Sequence, residues 1–313
     1  MKQIRSYLFS VLILTACFST SCGSTKENNK GTVIIGTQSP VMILGTYAAL
    51  PRLENGRADI PKLIYQLNDL NANTYNWLIW TGDKDWDDLK LFLPEAKKHN
   101  ISVWVSLVPP SESKPIFKYS SEPYGLDYIR WSKEIALLSA EFPNLIAFSI
   151  DDFVHNIDPK KYTPAYTPEY VGKMMDEIDK VNPDLKFIPC SYYKQIIKDD
   201  FAKIYGPLID GILFPYRAES EGANLTNPDL VESEIAHIRS LFKEELPIYI
   251  DIYAHPHSRL GATTPAYVEK VIKDGSVHAD GVLIYIHPNP TTDSEKYKII
   301  KDEFGKLKRS GKK

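Results

Sequence analysis

Short apolar runs rich in β-branched and aromatic residues alternate along this chain with longer stretches whose apolar residues recur every three or four positions. The short runs predict eight strands, at 32–36, 75–80, 101–107, 145–150, 185–189, 211–214, 247–253 and 281–286. The longer stretches predict amphipathic helices with one buried stripe each, as at Ile60, Leu63, Ile64, Leu67 and Leu70. Eight strand–helix units in series predict an α/β fold, a single (β/α)8 TIM barrel over residues 32–313, with an open doubly wound sheet as the alternative.

Proline residues mark three predicted helix starts. In Thr167-Pro168, Asn227-Pro228 and Thr264-Pro265, a side-chain oxygen that can cap a helix precedes a proline whose φ suits the first helical position. We therefore expect a helix to begin at each of these pairs.

The connections that lead from strand to helix are longer than those that lead back. The long ones cover 37–58, 108–125 and 153–166, so the elaborated face of the barrel is the one at the carboxyl ends of the strands. Active sites of (β/α)8 barrels lie at that face, because the strand ends converge there. The residues that close each strand are therefore expected to share one pocket.

The fourth predicted strand ends in two adjacent carboxylates, Asp151 and Asp152. Two ionised carboxylates side by side repel each other, so the site must separate their pKa values or supply a cation. The two-residue period of a strand places Ala147, Ser149 and Asp151 on one face, and such small residues fit a barrel interior. Asp151 is therefore predicted to face the pocket. Asp152 joins it if the chain turns there; the alternative is a helix cap or an ion pair.

Other acidic residues belong to later strands. Glu219 follows the sixth strand and Asp251 lies within the seventh, and each is a candidate second catalytic group. A carboxylate flanked by apolar residues, as Asp251 is, needs a partner. It can accept a bond from a sugar hydroxyl, take part in catalysis or pair with Arg217.

The remaining residues at the predicted strand ends are mostly aromatic or polar. An aromatic ring stacks on the C–H face of a sugar, while amides, imidazoles and guanidinium groups bond its hydroxyls. The opposing interpretation of each aromatic is a cap on the apolar barrel interior. The candidate substrate-binding residues are Gln38, Trp80, Tyr192, Tyr216, Arg217, Tyr253, His255, Tyr285, His287 and Asn289.

A metal site is a weaker hypothesis. The segment His255-Pro256-His257 could chelate a metal, with Asp151, Asp251 or His287 completing its shell. The chain has no H-E-x-x-H motif, no cysteine cluster, and no G-x-S-x-G or Walker loop. We expect neither a metal nor a cofactor.

Composition narrows the classes of partner. With 313 residues, 43% of them hydrophobic, the chain can bury a large core. Its formal net charge of −3 argues against nucleic acid, because domains that bind nucleic acid usually carry a basic surplus. Cys190 is the only cysteine of the predicted barrel, which leaves no disulfide framework there.

The amino-terminal segment has the layout of a secretory signal. Lys2 and Arg5 precede an apolar run over 7–14 that is too short to cross a bilayer. The sequence Leu14-Thr15-Ala16-Cys17 resembles the lipobox of bacterial lipoproteins, which implies removal of residues 1–16 and lipidation of Cys17. Cys22 is a second candidate. We expect residues 17–31 to be a flexible tether, and the protein to be held at the bacterial cell envelope by a membrane anchor.

In these motifs the chain resembles the barrel glycoside hydrolases found among bacterial surface lipoproteins. The strand that ends in Asp151 and Asp152 is similar to the fourth-strand motif of O-GlcNAcase-type β-N-acetylglucosaminidases. That resemblance implies that Asp151 orients a substrate acetamido group, which attacks the anomeric carbon, and that Asp152 is the general acid and base. A competing arrangement of barrel glycosidases pairs one of the two with Glu219 or Asp251.

The leading hypothesis is therefore a glycoside hydrolase that acts on a carbohydrate substrate. Two alternatives stay open. One is a non-catalytic glycan-binding lipoprotein on a degenerate barrel, because the strand-end Glu residues of many barrel glycosidases are missing. The other is a metal-dependent barrel hydrolase.

Overall fold

The computed structural model describes residues 42–198, 200–218, 223–242, 245–257 and 259–311. Parallel strands form one eight-stranded sheet in the order β5-β4-β3-β2-β1-β8-β7-β6. The strands are β1 (Ile43–Tyr47), β2 (Thr74–Ile79), β3 (Ser102–Leu107), β4 (Leu145–Ile150), β5 (Lys186–Phe187), β6 (Ile212–Pro215), β7 (Ile248–Tyr253) and β8 (Gly281–Tyr285). The first and last strands pair along their whole length, from Ile43 opposite Gly281 to Tyr47 opposite Tyr285.

The sheet closes on itself between β5 and β6. Although β5 is short, the chain continues beside β6, where Cys190 and Leu213 form a parallel bridge. The Leu213 amide donates to Pro189 O at 3.1 Å, and the Ser191 amide donates to Leu213 O at 3.0 Å. The predicted (β/α)8 barrel is thereby confirmed, with a narrow closure at this one junction.

Helices alternate with the strands and surround the barrel. They are α1 (Ile60–Asp69), α2 (Asp85–Lys98), α3 (Tyr128–Glu141), α4 (Pro168–Asp179), α5 (Tyr193–Ile196), α6 (Phe201–Tyr205), α7 (Val231–Leu241), α8 (Pro265–His278) and α9 (Ser294–Ser310). Short 3-10 helices at Pro110–Glu112 and Phe153–Asn156 lie in the connections after β3 and β4. Among the described helices, none has the length and apolarity needed to cross a membrane.

Strand alternation sorts the apolar side chains into two layers. Phe148 and Phe187 belong to the outer layer, which packs against the helices. The other face fills the barrel interior with Trp104, Ala147, Ile188, Leu213 and Leu283. This sorting follows from the two-residue period of each strand, and it decides which residues can reach the mouth of the barrel.

The first strand is not where the hydrophobic pattern places it. The predicted strand 32–36 lies outside the described residues, and the barrel uses β1, inside the predicted connection 37–58. Gly45 weakens the local strand signal of β1, since glycine lowers strand propensity. A Cβ at Gly45 would lie 3.0 Å from Leu283 Cγ, so the crowded interior favours glycine there.

Two of the three predicted helix starts are confirmed. Thr167 accepts a hydrogen bond from Tyr170 N, and Thr264 accepts one from Tyr267 N. The prediction at Asn227 is wrong, because its side chain accepts a bond from Asp229 N at 2.9 Å and α7 begins later. Asn227 forms a local turn, a common alternative use of this side chain.

The long connections follow β1, β3 and β4 at the carboxyl ends of the strands, while the returns from α1, α2 and α3 take only a few residues. The prediction of an elaborated carboxyl-terminal face is therefore confirmed.

Candidate active site

A cavity of about 190 Å³ opens among the carboxyl ends of the strands. Its lining combines aromatic rings, a carboxyl group and small polar groups, and includes Tyr47, Asn76, Leu78, Trp80, Ser106, Tyr119, Asp151, Cys190, Leu213 and Tyr285. The Asn76 side-chain amide is fully buried and has no hydrogen-bond partner among the described residues. Buried polar groups are rarely left without partners, so this amide is available to a bound molecule.

Asp151 follows β4 and lines the cavity, on the inward face that the alternation predicts. One of its oxygens, Oδ1, accepts a hydrogen bond from the Asp152 amide at 3.0 Å. Burial raises the pKa of Asp151 well above its usual value, and the charges of Asp152 and Glu112 raise it further. The nearby Cys190 thiol opposes this rise without cancelling it. These surroundings favour the protonated form of Asp151 over that of Asp152.

Asp152 sits in a left-handed backbone conformation, with φ 45° and ψ 38°. Non-glycine residues seldom adopt this conformation, which costs of order 1 kcal/mol and is often found at functional sites. Burial raises the pKa of Asp152, but the neighbouring His155, Tyr192 and Arg259 outweigh burial and lower the pKa. The two neighbours are thus driven to opposite protonation states, one of the two solutions that the sequence requires.

Glu112 is a third carboxyl group at the mouth, and sequence analysis missed it. It ends the 3-10 helix after β3, and burial followed by the charge of Asp152 raises its pKa, against the charges of Arg259 and His155. Asn156 ties this connection to the one after β4. Its Oδ1 accepts from Ser111 N at 2.8 Å, and its Nδ2 donates to Asp152 O at 2.9 Å. Contacts between the two connections, such as these, bring Glu112 near Asp152, and no local sequence pattern predicts them.

Tyrosines form one wall of the mouth. The rings of Tyr253 and Tyr285 stack with centroids 4.2 Å apart, and Tyr47 meets Tyr285 edge-on at 5.2 Å. Tyr192 packs in the same cluster as Tyr253 and also reaches Asp152. Three predicted binding residues, Tyr192, Tyr253 and Tyr285, therefore gather beside the paired carboxyl groups.

Trp80 and Tyr119 form a second wall, with ring centroids 5.2 Å apart. Asp85 holds the segment that carries Trp80. Its Oδ2 accepts the backbone N–H groups of Trp80, Thr81 and Gly82, and its Oδ1 pairs with Arg52 at 2.6 Å. A buried carboxylate that satisfies several backbone donors fixes the shape of a loop, so the Trp80 wall is rigidly placed.

Asp251 does not line the cavity but lies beneath Tyr47, whose hydroxyl donates to Asp251 Oδ2 at 2.6 Å. Burial outweighs the hydrogen bonds from Tyr47 and the Ile252 amide, and it raises the pKa of Asp251 to about 7. Of the roles left open for Asp251, an ion pair with Arg217 is excluded, because Arg217 pairs with Glu234 at 2.7 Å. Asp251 can act on a ligand through Tyr47.

Several predicted binding residues lie away from the cavity. Tyr216 is fully buried, stacks with Tyr267 and donates to Asn227 O at 2.9 Å. Tyr216 lies on the same strand face as Phe214, which packs against the helices. The two-residue period of the strand therefore already indicates that Tyr216 points away from the cavity. Arg217 serves the ion pair with Glu234.

The predicted sites on the last two connections also have other roles. His255 is exposed, and Asn289 forms a turn by accepting a bond from Thr291 N at 2.8 Å. His287 bonds Thr46 Oγ1 through Nδ1 at 3.1 Å, and burial lowers its pKa to about 4. None of these three belongs to the cavity lining. Gln38, Glu219 and Cys17 lie outside the described residues.

The histidine segment after β7 forms no metal centre with its neighbours. Across the described ranges, no three His, Cys, Asp or Glu side chains are grouped so that they could hold an ion. His257 instead lies near the rings of Tyr253 and Tyr285, at 5.9 and 6.3 Å.

Comparison with known proteins relates the chain to other barrels by structure only. No family model matches it, and no curated protein matches its sequence. A GH113 β-1,4-mannanase matches with a TM-score of 0.57 and 11% identity, over 85% of this chain and 99% of the mannanase. A glucosidase from Croceicoccus marinus matches with a TM-score of 0.59 and 9% identity, over 85% of this chain and 68% of the glucosidase. A mutant xylanase from Cellvibrio japonicus matches with a TM-score of 0.54 and 10% identity, over 85% of this chain and 98% of the xylanase. These likenesses define the class of the fold, a (β/α)8 barrel.

Proposed function

We propose that this protein is a glycoside hydrolase that cleaves a glycan in the cavity of the barrel. The observation that carries the proposal is the pair Asp151 and Asp152, whose environments push their pKa values in opposite directions. Glycoside hydrolysis needs a protonated carboxyl group beside the leaving oxygen and an anion near the positive anomeric centre. The two aromatic walls and the available Asn76 amide suit a sugar, which has an apolar ring face and a rim of hydroxyls.

The neighbouring structures support this class through the barrel they share. The mannanase, the glucosidase and the xylanase are each named for the cleavage of a glycan or a glucoside. A barrel hosts many chemistries, so the choice of glycan cleavage for this chain rests on the carboxyl pair and the aromatic walls.

In the proposed reaction Asp151 donates its proton to the glycosidic oxygen as the bond from that oxygen to the anomeric carbon breaks. The Asp152 carboxylate stabilises the positive charge that develops on the sugar until water adds there. Asp152 is suited to remain ionised because its neighbours His155, whose Nδ1 lies 3.6 Å from Asp152 Oδ1, and Tyr192 lower its pKa. Glu112, whose pKa is also raised by burial and by the charge of Asp152, is an additional carboxyl group that could accept the proton of the water.

The O-GlcNAcase-type motif implies the opposite assignment, in which Asp152 donates the proton and Asp151 holds an acetamido group. Burial and the neighbouring carboxylate charges, which raise the pKa of Asp151, and the His155 contact of Asp152 favour Asp151 as the donor. The proposal also allows a substrate that carries an acetamido group. Which of the two residues donates the proton can be tested directly.

Leaving-group dependence identifies the donor. Panels of 2,4-dinitrophenyl and 4-methylumbelliferyl glycosides are assayed with the wild type, Asp151→Asn, Asp152→Asn and the exposed control Asp176→Asn. Loss of a general acid costs about 10²- to 10⁴-fold in kcat when the leaving group needs protonation. We expect Asp151→Asn to show that loss with methylumbelliferyl substrates and a much smaller one with dinitrophenyl substrates, which leave without a proton.

Two outcomes oppose the proposal. Wild-type protein that binds glycans without releasing reducing sugar would favour the non-catalytic alternative. Undiminished turnover by both Asp151→Asn and Asp152→Asn would remove the carboxyl pair from the reaction. If turnover is low with methylumbelliferyl substrates and restored with dinitrophenyl substrates in Asp152→Asn but not in Asp151→Asn, Asp152 would be the proton donor.

We further propose that the enzyme is a lipoprotein of the bacterial cell envelope, anchored through Cys17. The support is the lipobox sequence and the basic and apolar segment before it. A carbohydrate-cleaving site on an envelope anchor would act on glycans outside the cytoplasm.

A further inference from the structure

A second, larger depression adjoins the cavity on the side of β2 and β3. It has a volume of about 740 Å³ and shares three lining residues with the cavity, Trp80, Thr81 and Tyr119. The two spaces therefore adjoin each other at the Trp80 wall. We call this depression the β2–β3 groove.

Aromatic rings line the β2–β3 groove and continue beside it. Trp80 and Tyr119 belong to its lining and have ring centroids 5.2 Å apart, and Phe117, which is next to the lining rather than part of it, lies 5.5 Å from Tyr119. Phe117 is 54% exposed although it is large and apolar. Half-buried and exposed aromatic rings in series offer successive stacking surfaces, an arrangement that suits a chain of sugar rings better than one sugar.

The charged residues of the groove balance one another. Asp83 and Glu122 contribute carboxyl groups, and Lys114 and Lys118 contribute ammonium groups. Within the described ranges neither lysine forms an ion pair, and Lys118 lies over the Tyr119 ring at 5.1 Å. The two ammonium groups can donate hydrogen bonds to uncharged hydroxyls, and the two carboxylates can accept hydrogen bonds from them. A polyanion would be repelled by the carboxylates, and a polycation by the ammonium groups.

The walls of the groove are fixed in place. Ser121 Oγ donates to Ile79 O at 2.8 Å and accepts from Val108 N at 2.9 Å, which ties the connection after β3 to the ends of two strands. The Ser120 amide donates to Trp80 O at 3.3 Å. A site whose walls are already ordered loses little conformational entropy when a ligand binds.

We propose that the β2–β3 groove binds successive sugar units of an uncharged glycan chain whose scissile bond lies in the cavity. The inference rests on the proposed function, since the cavity supplies the reacting unit. It narrows the substrate to a neutral oligosaccharide or polysaccharide that continues past the cleaved bond, rather than a single terminal sugar.

Calorimetric titration with defined oligosaccharides tests the groove. The probes are mannohexaose, xylohexaose, cellohexaose and N-acetylchitohexaose, their monosaccharides, and hexagalacturonate as a charged chain. We expect at least one neutral hexaose to bind ten-fold or more tightly than its monosaccharide. Phe117→Ala should weaken that hexaose about 3- to 10-fold, as expected for one aromatic stacking contact, and leave the monosaccharide unchanged. Tyr65→Ala, which alters a 70% exposed ring on α1, is the matched control.

Other results would overturn the proposal. These are a monosaccharide that binds as tightly as its hexaose, no binding of any neutral hexaose, a preference for hexagalacturonate, or equal effects of Phe117→Ala and Tyr65→Ala. Circular dichroism confirms that both variants fold, as expected for such exposed side chains. Release of reducing sugar is measured separately. Length-dependent binding without release would refute the proposed hydrolase activity but would still support glycan binding in the groove.

Discussion

At the scale of single residues, buried ionisable groups set the behaviour of the site. Asp251 has no exposed surface and is bonded to the Tyr47 hydroxyl, which itself lines the cavity. A buried carboxyl group without a cation prefers its neutral form, and burial accordingly raises the pKa of Asp251 to about 7. At low pH, neutral Asp251 therefore positions Tyr47 without a buried charge. At high pH its buried negative charge lowers the stability of the fold.

The first prediction follows from the sign of that pKa change. Between pH 4 and pH 7 the native state holds a proton on Asp251 that the unfolded state has lost, so this residue makes the free energy of unfolding fall as pH rises. The change amounts to roughly 4 kcal/mol at most. We expect Asp251→Asn, measured by urea unfolding, to be more stable relative to wild type at pH 8 than at pH 5.

The comparison with wild type isolates Asp251 from His287, whose lowered pKa makes stability change with pH in the opposite direction. Asp176→Asn, on the exposed face of α4, serves as the control. Equal differences from wild type at the two pH values would show that Asp251 is ionised at both.

The second prediction concerns the contact between His155 and Asp152, whose Nδ1 and Oδ1 atoms lie 3.6 Å apart. Because His155 lowers the pKa of Asp152, its removal should raise that pKa. The acid limb of the kcat/KM profile, which reports ionisation of Asp152 in the free enzyme, should then move to higher pH in His155→Leu. An unchanged acid limb, matching that of the remote control His99→Leu, would remove His155 from the reaction.

At the scale of the elements, the connection between β2 and α2 depends on one glycine. A Cβ at Gly82 would lie 2.5 Å from Asp85 Oδ1 and 3.0 Å from Arg52 Nη1, where there is no room for it. The ion pair and the backbone bonds to Asp85 would have to shift, and Trp80 would shift with them.

The third prediction is that Gly82→Ala lowers the free energy of unfolding by about 1–3 kcal/mol, as overpacking usually does. Hexaose binding should weaken in the same variant because Trp80 is displaced. Gly172→Ala in α4 is the control, since nothing lies within 4 Å of its added Cβ and alanine favours a helix by up to about 1 kcal/mol. Wild-type stability in Gly82→Ala would mean that the connection tolerates the rearrangement.

Local sequence was sufficient for elements whose signal is local. Strands β2 to β4, the buried stripe of α1 and the caps at Thr167 and Thr264 follow from periodicity and capping chemistry. Asp151 was placed by the alternation of β4.

Features that depend on long-range contacts are not predictable from local sequence. Strand β1 pairs with β8 along its whole length although its own strand signal is weak, and contacts such as the Asn156 bridge hold Glu112 near Asp152. Tyr216 lies at a strand end but on the face that packs against the helices, so it does not reach the cavity. The fold was thus predictable from pattern, whereas the membership of the site depended on loop packing.

At the scale of the whole molecule, the mouth of the barrel is unequal on its two sides. The tyrosine wall stands on β7, β8 and β1, and the groove extends from β2 and β3. A glycan bound as proposed would lie across the strand ends with the Asp151–Asp152 pair near one end of the groove.

The fourth prediction concerns the cellular position of the barrel. In a bacterial host, the full-length chain should incorporate labelled fatty acid and partition into the detergent phase of Triton X-114. Cys17→Ala should abolish both, because the lipid needs that thiol, while Cys22→Ala should change neither. Lipid incorporation that persists in Cys17→Ala and disappears in Cys22→Ala would move the anchor to the second cysteine.

The narrow closure between β5 and β6 lies directly beside the catalytic candidates, since Cys190 bridges to Leu213 and lines the cavity together with Asp151. Heat that loosens this junction would separate Asp151 from the tyrosine wall while the remaining strands stay paired. If the chain is the proposed hydrolase, its activity should therefore be lost on warming before its helical signal, because the weakest strand junction would open before the core unfolds.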